Sequence, residues 1–329
     1  MGKASQPFYR LRPNKHIDRY MFVSMLSQLA GLYQFETYHY IGFGSYLFDD
    51  FKLIHSTLHI NRMTSLEVDK KVYKRAMFNR PLNCIEILNQ ESTTYLDEYS
   101  RSDENIIIWL DFVEPSSIGN QLADYCTVLR MATPGDVVRI TLNANPQSLY
   151  TGTSGEKEEQ IRANRLKKIE QRASKYFPGE GISPEQMTSV GYPNVLLSCL
   201  KKAAMDELVE NQHDRRFLFP LCCNVYADGQ QMLTFTGIIL DDHASEQGIK
   251  DRLKKTSIHN CSWDKLNEIK VPPLTDKELL TINGLLPTSP TNEIGDLCEN
   301  FSFVFQHESD ALDYSNYYKY YPNYRHVSF

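Results

Sequence analysis

Short apolar runs alternate with longer amphipathic stretches through the first 145 residues, and each change of period marks an element. The run Tyr38–Ile41 predicts a strand that ends in the turn Gly42-Phe43-Gly44-Ser45. A helix of about 15 residues follows, apolar at Leu47, Phe48, Phe51, Leu53, Ile54 and Leu58. A second strand, opening at Met63, ends on Glu67, 25 positions after Gly42. Lys70–Asn79 is helical and is stopped by Arg80-Pro81, Asn83–Leu88 is a third strand, and Ser92–Tyr99 is again helical. Ile106–Asp111 is apolar without interruption up to its last residue, the pattern of a strand buried on both faces of a parallel sheet. A helix over Ile118–Ala132 and a fifth strand over Val137–Leu142 complete the alternation.

The pattern changes on either side of this block. Lys15–Tyr33 reads as an amphipathic helix with Asn14 as its N-cap. Beyond residue 145, the Ser/Thr/Gly-rich stretch Ser148–Gly155 reads as a mobile loop. It leads into Glu156–Tyr176, a helix carrying Arg162, Arg165, Lys167, Lys168, Arg172 and Lys175, which reads as a solvated basic face on a lid. Pro193–Asn211 is an amphipathic helix, and Phe217–Tyr226 with Gln231–Leu240 forms a hairpin across Asp228-Gly229. The expected organisation is an N-terminal helical arm (1–37), a ligand-binding core (38–145), an insertion (146–192), a helix and hairpin completing the sheet (193–243) and a C-terminal extension (244–329). That extension ends in an aromatic tail, Tyr314–Tyr324, with six tyrosines suited to packing on the domain or to contact with a protein partner.

Composition narrows the class. With 41% hydrophobic and 23% charged residues the chain is an ordinary globular sequence, and no apolar stretch reaches the roughly 20 residues of a membrane span. Its formal charge of −6 disfavours nucleic acid as a partner. Seven cysteines, without C-x-x-C spacing and mostly inside apolar runs, point to reduced thiols and a cytoplasmic protein. Gly2 is followed by Gln6 where a myristoylation signal wants Ser or Thr.

Candidate chemistry gathers at strand ends. A strand, a Gly-x-Gly turn, a helix and a second strand closed by an acid form a βαβ unit with a nucleotide-type crevice. The third glycine of a dinucleotide fingerprint is replaced by Leu47 and Phe48, so a nucleoside ligand without phosphates is favoured. Gly42, Gly44 and Ser45 would approach the ligand, and Glu67 would accept from both ribose hydroxyls. The turn after strand three carries Gln90 and Glu91, and strand four delivers Asp111 to the same edge. Asn143 and Asn145 fall nearby, but with Asp111 they form no more than a weak magnesium site, so no metal is expected.

Residues 38–145 and 217–241 resemble class I S-adenosylmethionine-dependent methyltransferases. Gly42 and Gly44 match the glycines of that family's first motif, and Glu67 matches the acid that holds the cofactor ribose. The resemblance implies a Rossmann-like α/β sheet ending in an antiparallel hairpin, where a dehydrogenase would end in a sixth parallel strand. It also implies S-adenosyl-L-methionine as cofactor, with Gly42, Gly44, Ser45, Glu67, Glu91 and Asp111 around it. Asp111-Phe112-Val113-Glu114-Pro115 lacks the double proline of base N-methyltransferases and is closer to O-methyltransferases, with Asp111 as the candidate catalytic residue and the acceptor unidentified. Tyr40-Ile41 stands where the family carries an acid before its first glycine. The alternative is a non-catalytic S-adenosylmethionine-binding interaction module, of a kind found in bacterial defence systems.

Overall fold

The computed structural model describes residues 12–209, 215–254, 260–287 and 294–322. Two compact units emerge. The first comprises 23–225 and 230–267 with a few N-terminal residues, and the second comprises 5–22, 226–229 and 268–329.

In the first unit the alternating pattern becomes the expected succession of elements. After α1 (Pro13–Leu29) come β1 (His39–Gly42), α2 (Asp49–Leu58), β2 (Arg62–Leu66), α3 (Lys70–Asn79) and β3 (Ile85–Leu88). Then follow α4 (Ser92–Glu98), β4 (Ile106–Asp111), α5 (Ile118–Met131) and β5 (Val137–Asn143). The insertion holds α6 (Glu158–Ala173), and α7 (Tyr192–Val209) leads into the hairpin β6 (Phe217–Asp228) and β7 (Gln230–Leu240). A helix, α8 (Ala244–Leu253), and a short strand, β8 (Asn267–Ile269), follow. The sheet order is β3-β2-β1-β4-β5-β7-β6-β8. Strands β1 to β5 are parallel, and β7 runs antiparallel against β5. The order reverses at β1, between β2 and β4, which is the switch point where ligands of open α/β sheets bind.

The two faces of the sheet differ. Ile106, Ile108, Leu110, Val138, Ile140 and Leu142 join one apolar core with side chains of α5 and α7. The alternate residues are buried but partly polar: Trp109 Nε1 donates to Thr141 Oγ1 at 2.9 Å, and Arg139 Nη1 donates to Thr236 Oγ1 at 2.7 Å. The Arg139 guanidinium also lies 4.4 Å from the Trp109 ring, a cation–π contact in a place without water. At the opposite end of the strands from the switch-point turns, Asp136 is fully buried and accepts from Arg101, Asn105, the Ile106 N–H and the Thr133 N–H.

Two expectations change. The helix after the glycine turn is ten residues long rather than about 15, because Ser45 (φ 51°) and Phe48 (φ 53°) adopt left-handed backbone. Leu47 and Phe48 therefore belong to the turn, and Phe48 is buried completely beneath it. The basic helix of the insertion is also not solvated throughout. Arg165 is buried, with Nε donating to Tyr150 O at 2.9 Å and Nη1 to Met187 O at 3.1 Å. Arg172 donates to Pro115 O and Ser148 O. Glu156 gathers the loop before the helix by accepting from Thr153 N–H, the Tyr150 hydroxyl and Asn164 Nδ2. These arginines fasten loops; Lys167 and Lys168 remain exposed.

The second unit contains the start of α1, the hairpin tip and the helices α9 (Asp276–Asn283), α10 (Ile294–Asn300) and α11 (Glu308–Tyr317). Asn14 is not the cap of α1. The Asp228 carboxylate takes that role, accepting from Asn14 N and Lys15 N at 3.3 and 2.7 Å. This releases the Asn14 side chain to donate to Ala227 O and accept from Val271 N. In the aromatic tail, Tyr314, Tyr317 and Tyr321 are buried, and their hydroxyls bond Asn283 Oδ1, Glu268 O and Pro272 O. Tyr324 and the N-terminal residues around Gly2 and Gln6 lie outside the described residues.

Candidate active site at the sheet switch point

The site is built from the turns that leave β1, β2, β3 and β4. Strand register aligns them. Gly42 pairs with Ser65 on β2 and with Trp109 on β4. Glu67 and Asp111 each lie two residues further along, at the exits of β2 and β4 on either side of the β1 exit.

The glycine turn is held from below. Gly44 N–H donates to the buried Ser65 Oγ at 3.1 Å. A Cβ on Gly44 would stand 2.7 Å from both Ser65 Oγ and the Phe48 ring, and one on Gly42 would stand 2.7 Å from the Tyr40 hydroxyl. Glycine is thus required first by the protein's own floor and only then by any ligand above it. Tyr40 occupies the place of the acid expected before the first glycine. Its hydroxyl donates to Asp50 Oδ2 on α2 at 2.7 Å, which brings a carboxylate under the turn from another element.

Above this floor the turn carries polar atoms that the protein does not satisfy. Ser45 Oγ and the Tyr46 hydroxyl are both shut off from solvent and have no hydrogen-bond partner in the protein. Buried polar groups are ordinarily paired, so two adjacent orphans in a glycine turn mark a place for a polar ligand. The Tyr46 ring is itself fixed beneath the Arg75 guanidinium, 3.6 Å from its centroid.

The two acids after β2 have separate tasks. Asp69 is exposed and caps α3, accepting from Lys71 N and Val72 N at 2.7 and 3.0 Å. Glu67 is half-buried, and burial raises its carboxyl above the usual range, with the neighbouring Asp69 adding to the rise. Its Oε1 accepts from Asp69 N at 2.9 Å. Asp69 is committed to the helix, which leaves Glu67 as the acid of the crevice. On the turn after β3, Glu91 is exposed and makes no side-chain cap to α4, while Gln90 donates to Glu98.

Asp111 is half-buried at the end of β4. The next residue joins it to the glycine turn: Phe112 N–H donates to Thr141 O at 3.1 Å, and its ring meets that of Phe43 edge-on at 5.5 Å. Asn145 is turned to its own backbone, while Asn143 also bonds Gln230 on β7 and donates to Val113 O beyond β4. Asn143 Oδ1 accepts from Asn145 N and Gln230 Nε2, and Asn145 Oδ1 accepts from Gln147 N. Among the described residues no group of three or more His, Cys, Asp or Glu side chains is placed to hold a metal ion.

Sequence reasoning missed Ser65, Tyr46, Asn89 and Asp124. Asp124 had a visible sign, an acid on the inward face of the otherwise apolar α5. It is buried and accepts from Ser92 Oγ and Thr93 Oγ1 at 2.6 and 2.8 Å, so it ties the first turn of α4 to α5.

A parallel sheet closed by an antiparallel hairpin, with a glycine turn ending β1 and an acid just beyond β2, is the architecture expected from the resemblance to class I S-adenosylmethionine-dependent methyltransferases. The chain belongs to the family described as "Putative O-methyltransferase", whose profile matches residues 7–329. No curated protein sequence matches it. Among solved structures it is similar to an O-methyltransferase from Bacillus cereus in complex with S-adenosylhomocysteine, at 14% identity and a TM-score of 0.38 over 70% of this chain and 84% of that one. It is also similar to the N-methyltransferase NodS from Bradyrhizobium japonicum WM9 in complex with S-adenosylhomocysteine, at 12% identity and a TM-score of 0.39 over 72% and 94%. No helix among the described residues is long and apolar enough to cross a membrane.

Proposed function

We propose that this methyltransferase binds S-adenosylmethionine across the glycine turn and methylates an oxygen of its acceptor beside Asp111. The observation that supports the reading is the register that pairs Gly42 with Ser65 and Trp109, so that the ends of β2 and β4 flank the end of β1, where the glycine turn begins. The residues present fit the cofactor: a glycine cradle, two orphan hydroxyls at Ser45 and Tyr46, and a half-buried acid at the end of β2.

When bound, S-adenosylmethionine supplies an electrophilic methyl group. The chain's own residues do the rest. Glu67 accepts from the ribose hydroxyls, Ser45 and Tyr46 meet polar groups of the ligand over the turn, and Glu91 stands beside the base. Asp111 orients the acceptor hydroxyl and takes its proton, while Phe43 and Phe112 keep water from the line of approach. In-line displacement depends mostly on such positioning, and a base is needed only because an oxygen acceptor must lose its proton.

Calorimetry with S-adenosylmethionine, S-adenosylhomocysteine and NAD tests the cofactor, and the expected result is binding of the first two only. Asp111→Asn keeps the shape and removes the charge. With an acceptor in hand, it is expected to lower turnover by about 10²-fold or more at nearly unchanged cofactor affinity. Loss of cofactor affinity in Asp111→Asn would move the residue from the acceptor to the cofactor side. Undiminished turnover would end its assignment as a base.

A further inference from the structure

Side chains lace the exits of β2 and β3 together and tie the turn after β3 to α5. Asn89, the first residue after β3, donates its Nδ2 to the carbonyl oxygens of Glu67 and Val68, at 2.7 and 3.1 Å. Glu67 N–H donates to Leu88 O at 3.0 Å, so this residue is held at both its N–H and its C=O by the β3 exit. The far end of the same turn is fastened to α5, where Ser92 and Thr93 donate to the buried Asp124. Burial and the nearby Asp97 and Glu91 raise the Asp124 carboxyl, and the two hydroxyl donors offset part of that cost.

We propose that Asn89 is a positioning residue for the cofactor ribose, acting through Glu67, with Asp124 anchoring the turn that carries it. The inference rests on the reading that Glu67 accepts from the ribose hydroxyls. A carboxylate that engages two hydroxyls works only within about 0.5 Å and 10–20° of the right placement. Glu67 lies just beyond the last residue of β2, where the ladder still holds its N–H through Leu88 O while its carbonyl is taken by the Asn89 side chain. The Asn89 amide replaces the missing ladder bond at its carbonyl. Without it the Glu67–Val68 peptide is free to turn, and the side chain turns with it.

The test is a double-mutant cycle read by calorimetric affinity for S-adenosylhomocysteine. Asn89→Ala is expected to weaken binding roughly 5- to 20-fold, the scale of one or two hydrogen bonds to a well-placed group. In a Glu67→Gln background the same change is expected to cost less than about 2-fold, because the group it orients is already impaired. Asp124→Asn is expected to show the same coupling. A purely structural role would lower the denaturation midpoint and leave affinity alone, or lower affinity equally in both backgrounds; either result overturns the proposal. If the parent binds but Glu67→Gln alone changes nothing, the ribose assignment falls and this inference with it. A parent that does not bind S-adenosylhomocysteine defeats the cofactor reading at the first titration, before any variant is compared.

Discussion

At the scale of single residues, the glycine turn shows how one position serves two masters. A methyl group on Gly44 would press on Ser65 Oγ and on the buried Phe48 ring, both at 2.7 Å. Gly44→Ala is therefore expected to lower stability as well as cofactor affinity, with a loss of about 1–3 kcal/mol in chemical denaturation, typical of overpacking. A variant with weakened binding but parental stability would show that the glycine serves the ligand alone. Glu67 gives the cleaner probe, since its side chain lies outside that floor. Glu67→Ala removes a charge-assisted pair of hydrogen bonds and is expected to reduce S-adenosylhomocysteine affinity by roughly 10- to 150-fold. Parental affinity would assign the ribose to another group. Asp69 is a poor substitute, being engaged at the N-terminus of α3.

At the scale of elements, the insertion illustrates why composition misleads. Seven basic side chains over Glu156–Tyr176 suggested a solvated face, yet two of them, Arg165 and Arg172, hold backbone carbonyls of distant loops. A long side chain with several donors can cross from a helix to satisfy oxygens that no strand or helix reaches. Replacing Arg165 by Leu leaves Tyr150 O and Met187 O without their donor in a buried place. The expected cost is about 2–4 kcal/mol in chemical denaturation. A change within about 0.5 kcal/mol would mean that water replaces the guanidinium there. The same logic explains the capping in trans of α1 by Asp228: a helix end with no suitable neighbour in sequence takes one from far along the chain.

At the scale of the whole molecule, His39 is one source of the pH dependence of stability. His39 is buried on β1, its Nε2 beside Thr64 Oγ1 at 2.8 Å, and burial together with the nearby Arg62 pushes its pKa down to about 4. In the unfolded chain an imidazole titrates near 6.5. Between those values the unfolded state binds the extra proton, so stability is complete above about pH 6.5 and declines as pH falls toward 4, by about 3 kcal/mol in all. His39→Gln, which keeps a polar group opposite Thr64 and cannot charge, is expected to flatten that part of the stability curve measured by urea unfolding. An unchanged slope would place the acid sensitivity elsewhere.

Across these scales, the sequence by itself determined the order and type of the elements, since hydrophobic period is a local property. The bounds of α3 and β4 match it to the residue, and the glycine turn, Glu67 and Asp111 were legible because a strand end can be read from the strand. Tertiary structure decided what each of those groups can do. Register between strands far apart in sequence set the exits of β2 and β4 on either side of the β1 exit. The left-handed residues Ser45 and Phe48 shortened α2 because a buried phenyl ring was worth more under the turn than on the helix. The ties from Ser65 to Gly44, from Asn89 to Glu67 and from Asp124 to Ser92 each join positions at least 21 residues apart. No local pattern encodes such a bond, because a polar side chain finds its partner only after hydrophobic packing has brought the two backbones together.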